Sequence, residues 1–92
     1  MKSNKSVWIF NGDKGRFCSA VFSNYEKAVD WIKQIGATGM LTCYPVDSSV
    51  YDWSIAKDYF RPSKELHNTA GFIANFSSAS LEHTRFENGE ER

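Results

Sequence analysis

Apolar residues occur along this chain in short runs separated by polar turns, a pattern typical of a small α+β domain. Three runs have the β-branched and aromatic composition of strands, and they lie at residues 7–10, 17–22 and 39–46. A fourth strand is predicted at residues 81–87. The second and third strands and the segment between them have the length of a parallel βαβ crossover. These patterns predict a small mixed sheet of about four strands.

The segment between the second and third strands predicts the main helix, at residues 24–35. Its apolar residues recur at the spacing that places them on one helical face, and they are Ala28, Trp31, Ile32 and Ile35. Ser23 and Glu26 have the spacing of a capping box at the start of this helix. Gly36 can take the left-handed conformation that ends a helix. We therefore expect this helix to pack on one face of the sheet.

Two short helical segments are predicted in the second half of the chain. Ser49 can cap the first of them, which would place Asp52 in the favourable first turn. Thr69 can cap the second in the same way. With the sheet and the main helix, these segments complete the predicted α+β fold.

The overall composition suits one globular domain. The chain has 92 residues, of which 41% are hydrophobic and 24% are charged. No repeat or linker interrupts it, so residues 1–92 are expected to form a single domain, with residues 1–5 and 88–92 frayed at its ends. No apolar run is long enough for a signal peptide or a membrane span. The sequence therefore predicts a cytoplasmic protein with no membrane partner.

The charges balance overall but are unevenly distributed. Eleven basic and eleven acidic residues give a formal net charge of zero, which argues against a nucleic-acid partner. Residues 1–46 contain six basic and three acidic groups, a net charge of +3. Residues 47–92 contain five basic and eight acidic groups, a net charge of −3. The acidic second half is the part that would suit a basic partner.

Candidate catalytic groups are sparse in this sequence. Cys18 and Cys43 lie in apolar runs without a C-x-x-C spacing, which predicts buried, reduced thiols. His67 and His83 are the only histidines, and Glu82 would point to the opposite face of a strand from His83. No phosphate-binding, dinucleotide-binding or metal-ligand motif is present. The sequence predicts no enzyme, no cofactor and no metal site, with a hydrolase or nuclease using a His/Glu pair as the third hypothesis.

The chain is rich in aromatic residues, with seven Phe, four Tyr and three Trp. Four of these rings and two carboxylates fall within residues 50–60, and a third carboxylate precedes that segment. The rings could fill a core, or they could form an exposed patch in which Tyr and Trp supply contact area and the acids orient a partner. Under the second interpretation, the predicted partner-binding residues are Asp47, Tyr51, Asp52, Trp53, Asp58 and Tyr59.

Several motifs spread along the chain point to a family. They lie at residues 7–12, 22–28 with 31–32, 41–45, 50–53 and 76–83. On these motifs the chain resembles a family of small, uncharacterised bacterial proteins, a domain of unknown function. That resemblance supplies no catalytic residues. In size and composition, the chain is also similar to immunity proteins of bacterial toxin systems, including contact-dependent growth inhibition.

The leading hypothesis is an immunity protein that binds and neutralises the C-terminal domain of a bacterial toxin, in particular a nuclease effector. A nuclease presents a basic surface to its substrate, and an acidic, aromatic surface is complementary to it. The alternative is a generic protein-interaction or regulatory module with another protein partner. The oligomeric state is left open by the sequence.

Overall fold

A five-stranded sheet is the largest element of the fold, and the computed structural model describes residues 5–92. The strands are β1 (Ser6–Gly12), β2 (Ala20–Phe22), β3 (Gly39–Pro45), β4 (His83–Glu87) and β5 (Glu90–Glu91). Their spatial order is β2-β1-β3-β4-β5, and all four neighbouring pairs are antiparallel. The helices are α1 (Tyr25–Ile35), α2 (Val50–Ala56) and α3 (Ala70–Ala74), with a 3-10 turn at Glu65–Asn68. The predicted α+β class is confirmed.

The described chain divides into two compact units. The sheet unit comprises residues 5–46 and 81–92 and contains all five strands and α1. The helical unit comprises residues 47–80 and contains α2, the 3-10 turn and α3. The single domain expected over residues 1–92 stays a prediction.

The strand order differs from the predicted mixed sheet of about four strands. β2 and β3 are joined through α1, and they run in the same direction, as the length of their crossover suggested. They are not neighbours, because β1 lies between them: Ile9 is opposite Val21 on one side and Thr42 on the other. Since β1 is antiparallel to both, the sheet has only antiparallel pairs. A crossover length sets the direction of two strands but does not exclude a third strand between them.

Local capping explains where α1 begins and ends. The side chain of Asn24 accepts a hydrogen bond from the backbone N–H of Lys27 at 3.0 Å. The cap is therefore one residue later than the predicted capping box at Ser23. Gly36 has a φ of 69°, which confirms the predicted left-handed end of the helix.

The core of the sheet unit lies between α1 and one face of the sheet. Its buried members come from α1 and from three strands, and they are Phe10, Ala28, Ile32, Leu41 and Phe86. The ring of Trp31 packs against Phe10 and Phe22, with both centroid distances at 5.7 Å. Ile35 was predicted on the same face, but it is 55% exposed at the last turn of the helix.

The C-terminal residues 88–92 are ordered as a hairpin, which corrects the frayed end expected there. Asn88 and Gly89 have φ values of 52° and 84°, the positive pair that a tight type I′ turn requires. The backbone N–H of Arg92 donates to the carbonyl of Arg85 at 2.8 Å. Asn-Gly is a strong hairpin signal, so this turn could have been predicted. The other end predicted to fray comprises residues 1–5, of which residues 1–4 lie outside the described residues.

An exposed ion pair connects the turn after β1 to β4. The guanidinium of Arg85 donates two hydrogen bonds to the carboxylate of Asp13, both at 2.5 Å. These bonds lower the pKa of Asp13 below its ordinary value of 3.8. The pairing also raises the pKa of Arg85. The turn at residues 12–15, which contains two glycines, is thus held by a side-chain contact from a distant strand.

We expect this pair to contribute to the acid sensitivity of the sheet unit. The folded-state pKa of Asp13 is lowered, so the ion pair contributes fully to stability at pH values above the ordinary carboxylate pKa. That contribution is lost as the pH falls through the lowered pKa. Asp13→Asn should therefore lose less stability than the wild type between about pH 5 and about pH 2, measured by urea unfolding. Asp30→Asn on α1 is the matched control, and equal acid sensitivity in wild type and Asp13→Asn would contradict the expectation.

Candidate partner-binding site

The predicted partner-binding residues lie on α2 and the turns that flank it, within the helical unit. The hydroxyl of Ser49 accepts a hydrogen bond from the backbone N–H of Asp52 at 2.9 Å, which confirms the predicted cap. The helix ends at Ala56. Asp58 has a φ of 63°, a left-handed conformation that no helix can continue through.

Tyr51 belongs to the core of the helical unit. Its side chain is only 7% exposed, and its hydroxyl donates a hydrogen bond to Oδ1 of Asn68 at 3.3 Å. Its ring packs against three phenylalanine rings at centroid distances of 5.6 to 6.4 Å. These rings are Phe60, Phe72 and Phe76. The partner contact predicted for Tyr51 therefore does not fit its position, because the ring is covered within its own unit.

His67 also has a structural position in the helical unit. Its Nδ1 accepts hydrogen bonds from the backbone N–H groups of Ser63 and Lys64, at 3.0 and 3.3 Å. The imidazole packs against the Phe72 ring with a centroid distance of 4.8 Å. Through these contacts the ring organises the turn that precedes α3.

The second histidine lies in the sheet unit. Nδ1 of His83 lies 2.6 Å from the carbonyl oxygen of Leu81, a distance that requires the nitrogen to donate. Among residues 5–92, Glu82 hydrogen-bonds neither His83 nor His67 through its side chain. The interpretation of the protein as a non-enzyme stays a prediction.

Trp53 and Tyr59 form an aromatic pair at the surface of the helical unit. Their ring centroids are 5.5 Å apart, with 53° between the ring planes. Tyr59 is 57% exposed, whereas Trp53 is half-buried. The backbone N–H of Tyr59 donates to the carbonyl of Ser54 at 2.8 Å, which fixes the chain just before the ring. Of the four rings between residues 50 and 60, Tyr51 and Phe60 thus pack with the phenylalanines of the unit, whereas Tyr59 is exposed and contacts the half-buried Trp53.

The three predicted carboxylates differ in their partners. Asp47 and Asp52 are exposed, and within residues 5–92 neither takes part in an ion pair. The carboxylate of Asp58 accepts two hydrogen bonds from Arg61, at 2.9 and 3.1 Å. This pairing raises the pKa of Arg61. The charge of Asp58 is therefore compensated locally, and Asp47 and Asp52 are the carboxylates left to meet a partner.

The acidity of the second half of the chain is not concentrated on the helical unit. Residues 47–80 contain four acidic and three basic groups, a net charge of −1. Residues 81–92 contain four acidic and two basic groups, a net charge of −2, and they belong to the sheet unit. Charge attraction at the predicted site therefore comes from individual carboxylates and not from a broad acidic face.

The remaining candidate groups are the possible metal ligands and the two cysteines. Residues 5–92 contain no cluster of three or more His, Cys, Asp or Glu side chains that could hold a metal ion. Cys18 is exposed and Cys43 is half-buried, and both thiols are free. Cys18 was expected to be buried, but β2 begins at Ala20 and Cys18 precedes it in an irregular segment. Among these same residues, no helix has the length and apolar character needed to cross a bilayer.

Comparison with protein families gives one clear result. A family model, described as a domain of unknown function, matches residues 7–92, nearly the whole chain. Comparison with curated proteins and with solved structures found no match. The predicted family resemblance is confirmed, and the similarity to toxin-immunity proteins stays a prediction. The chain is a member of the family DUF7710.

Proposed function

We propose that this protein is an immunity protein that binds and neutralises the C-terminal domain of a bacterial toxin, in particular a nuclease effector. The observation that supports this proposal most is the contact between the exposed ring of Tyr59 and the half-buried ring of Trp53 in the helical unit. Neutralisation would follow from covering the toxin's active site or its substrate-binding surface. The protein would need no cofactor and no catalytic residue of its own, and it would act in the cytoplasm.

The aromatic pair has the properties of a binding hot spot. Tyr and Trp are enriched among the residues that dominate protein–protein affinity, because each buries a large area at low cost in conformational entropy. Trp53 lies on a capped helix, and each ring of the pair restricts the other. Rings that are held before binding lose little further freedom when a partner covers them. The pair would therefore supply most of the binding energy and a slow dissociation.

The carboxylates suit a basic partner. A nuclease must carry cationic groups that face the phosphates of its substrate. Asp47 precedes α2 and Asp52 lies in its first turn, and both carboxylates are exposed. Exposed charges at the edge of an interface act mainly on the association rate and on orientation. We therefore assign Asp47 and Asp52 to steering and the aromatic pair to affinity.

The proposal predicts a measurable loss of affinity at the aromatic pair. Trp53→Ala and Tyr59→Ala should each weaken binding to the toxin domain by about tenfold to a hundredfold, or more. The toxin domain to test is the one encoded beside the gene for this protein, with affinity measured by calorimetry and neutralisation by growth rescue on co-expression. Leu66→Ala is the matched control, because Leu66 is an exposed apolar residue of the same unit outside the pair.

Charge steering predicts a change in the kinetics of binding to the same toxin domain. The double variant Asp47→Asn/Asp52→Asn should lower the association rate constant and its salt dependence, with little change in the dissociation rate. Glu65→Gln removes an exposed carboxylate elsewhere in the unit and serves as the control. Absence of both growth rescue and complex formation would contradict the immunity proposal. A complex that tolerates Trp53→Ala and Tyr59→Ala would contradict the site.

A generic interaction or regulatory module is the second candidate function, and it would use the same aromatic pair. It differs from the immunity proposal in the identity of the partner. Binding of a host protein through Trp53 and Tyr59, with no rescue from any toxin domain, would favour this candidate.

A further inference from the structure

The sequence contains two Asn-Gly dipeptides, at residues 11–12 and 88–89. Asparagine followed by glycine is chemically labile, because glycine has no Cβ to keep its backbone nitrogen away from the side-chain carbonyl of the asparagine. That nitrogen can attack Cγ of the asparagine and displace ammonia. The two dipeptides share this chemistry, so a difference between their rates in the folded protein must come from the structure around each of them.

The first dipeptide lies in the paired part of the sheet. Asn11 and Gly12 both belong to β1 and are paired with residues at the start of β3. β1 is an inner strand, with β2 on one side and β3 on the other. Freeing this dipeptide requires separation of β1 from β3, which disrupts the core around Phe10 and Leu41. We therefore expect Asn11 to become reactive on global unfolding of the sheet unit.

The second dipeptide lies at the tip of the small β4–β5 hairpin. Two cross-strand residue pairs join these strands, and β5 is only two residues long. Asn88 is exposed, whereas Gly89 is buried. Short elements at the end of a chain open at a lower free energy than the inner strands of the same sheet. Asn88 can therefore be freed by a local opening that leaves β1 and β3 paired.

Two hydrogen bonds from its backbone dock the hairpin turn on the segment that follows α1. The N–H of Gly89 donates to the carbonyl of Ala37 at 2.8 Å, and the N–H of Asn88 donates to Oγ1 of Thr38 at 2.9 Å. A Cβ on Gly89 would lie 3.1 Å from Cα of Gly36, so the two segments are in close contact. While the turn is docked, the nitrogen that would attack Cγ of Asn88 is engaged with another carbonyl.

We propose that Asn88 is a deamidation site that reacts when the β4–β5 hairpin opens, and that the docked turn holds the reaction back. On opening, the backbone nitrogen of Gly89 loses its proton and attacks Cγ of Asn88. A nitrogen–carbon bond forms, the bond from Cγ to the side-chain nitrogen breaks, and ammonia leaves with the proton. Water then opens the cyclic imide at one of its two carbonyls, which gives aspartate or isoaspartate at residue 88.

Either product should weaken docking of the turn, so an opening event leaves a lasting chemical mark. Isoaspartate adds a carbon to the main chain between residues 88 and 89, which displaces the N–H of Gly89 from the carbonyl of Ala37. Aspartate adds a negative charge beside Thr38, close to the C-terminal end of α1, where the helix dipole disfavours it. The exposed carboxylate of Glu90 nearby in the chain adds to this repulsion.

Peptide mapping by mass spectrometry measures both sites in one protein. The full chain is incubated at mildly alkaline pH, with and without urea, and the amide-to-acid mass change is followed in each peptide. In urea, Asn88 and Asn11 should deamidate at similar rates, because the two dipeptides are the same. Without urea, Asn88 should react at least about tenfold faster than Asn11 and at least about tenfold slower than it does in urea.

Substitution of the docking contact tests the control by the turn. Thr38→Val removes the hydroxyl that accepts from Asn88 and should raise the deamidation rate of Asn88 about twofold to tenfold. Thr42→Val makes the same change on β3, opposite His83 at the start of β4, and should leave this rate unchanged. Asn88→Gly tolerates the positive φ of the turn and should abolish the mass change in this peptide.

Three outcomes would overturn the proposal. The first is an Asn88 that reacts as fast in the folded protein as in urea, because docking would then give no protection. The second is an Asn88 that reacts no faster than Asn11 without urea, because opening would then require global unfolding. The third is a rate at Asn88 that Thr38→Val leaves unchanged. None of these measurements involves a partner, so the test is independent of the proposed toxin binding.

Discussion

Gly39→Ala is expected to destabilise the sheet unit by at least about 3 kcal/mol, enough to leave much of it unfolded. Gly39 is buried at the start of β3, opposite Gly12 on β1 and Phe86 on β4. A Cβ at this position would collide with the carbonyl oxygen of Asn11 and would lie 2.8 Å from Cζ of Phe10. A backbone oxygen in a paired strand cannot move aside without breaking the ladder between β1 and β3.

Gly71→Ala is the matched control for this prediction. Gly71 lies in α3, and a Cβ there would meet no atom within 4 Å. Alanine in a helix is more favourable than glycine, so this change should stabilise the helical unit by about 0.5 to 1 kcal/mol. Urea unfolding followed by circular dichroism measures both variants. A Gly39→Ala variant within about 0.5 kcal/mol of the wild type would show that β1 and β3 are less closely paired than the structure indicates.

Local sequence signals were sufficient to predict most helices and strands of this fold. Ser49 and Thr69 cap the helices predicted from them, and Gly36 ends α1. Each of these signals acts over a few residues, so the chain carries them independently of its tertiary structure. The Asn88–Gly89 turn was equally local and was missed because the acidic composition of the C-terminus suggested a frayed end.

Strand order could not be predicted in the same way. The crossover from β2 through α1 to β3 fixes a common direction for the two strands. Whether β1 fills the space between them depends on side chains that meet only in the folded sheet, such as Phe10 beside Leu41. No spacing along the chain encodes that choice.

Which rings of residues 50–60 lie in the core and which at the surface could not be predicted from the sequence either. Tyr51 and Trp53 are two positions apart on α2, so their side chains point in different directions. Which of the two is buried depends on Phe72 and Phe76, which arrive from α3 and the chain after it. The sequence contains no sign that these rings pair with Tyr51.

His67 illustrates a role that motif reasoning does not detect. The sequence shows no catalytic partner for His67, and it does not show which groups the ring contacts instead. In the structure its Nδ1 accepts from the backbone N–H groups of Ser63 and Lys64, so its partners are main-chain atoms. Contacts of this kind depend on a turn conformation that residue identities do not reveal.

Tyr51→Ala is expected to cost about 3 to 5 kcal/mol and to unfold the helical unit, because it removes the ring around which the unit's phenylalanines pack. Tyr51→Phe keeps the ring and removes only the hydroxyl that donates to Asn68. It should cost about 1 kcal/mol, the usual contribution of one hydrogen bond. Urea unfolding of both variants checks these values and separates the packing of the ring from its hydrogen bond.

The same pair of variants distinguishes a core role for Tyr51 from the partner contact predicted by the sequence. If the ring serves the core, Tyr51→Phe should bind the toxin domain within about threefold of the wild type, whereas Tyr59→Ala should lose at least about tenfold. Tyr51→Ala should lose binding only in proportion to the fraction unfolded, so that lowering the temperature or adding a stabilising osmolyte restores it. A stable, folded Tyr51→Phe variant that binds as weakly as Tyr59→Ala would show that Tyr51 contacts the partner. Since Tyr51 and Trp53 share one helix, that result would also require α2 to turn when the partner binds.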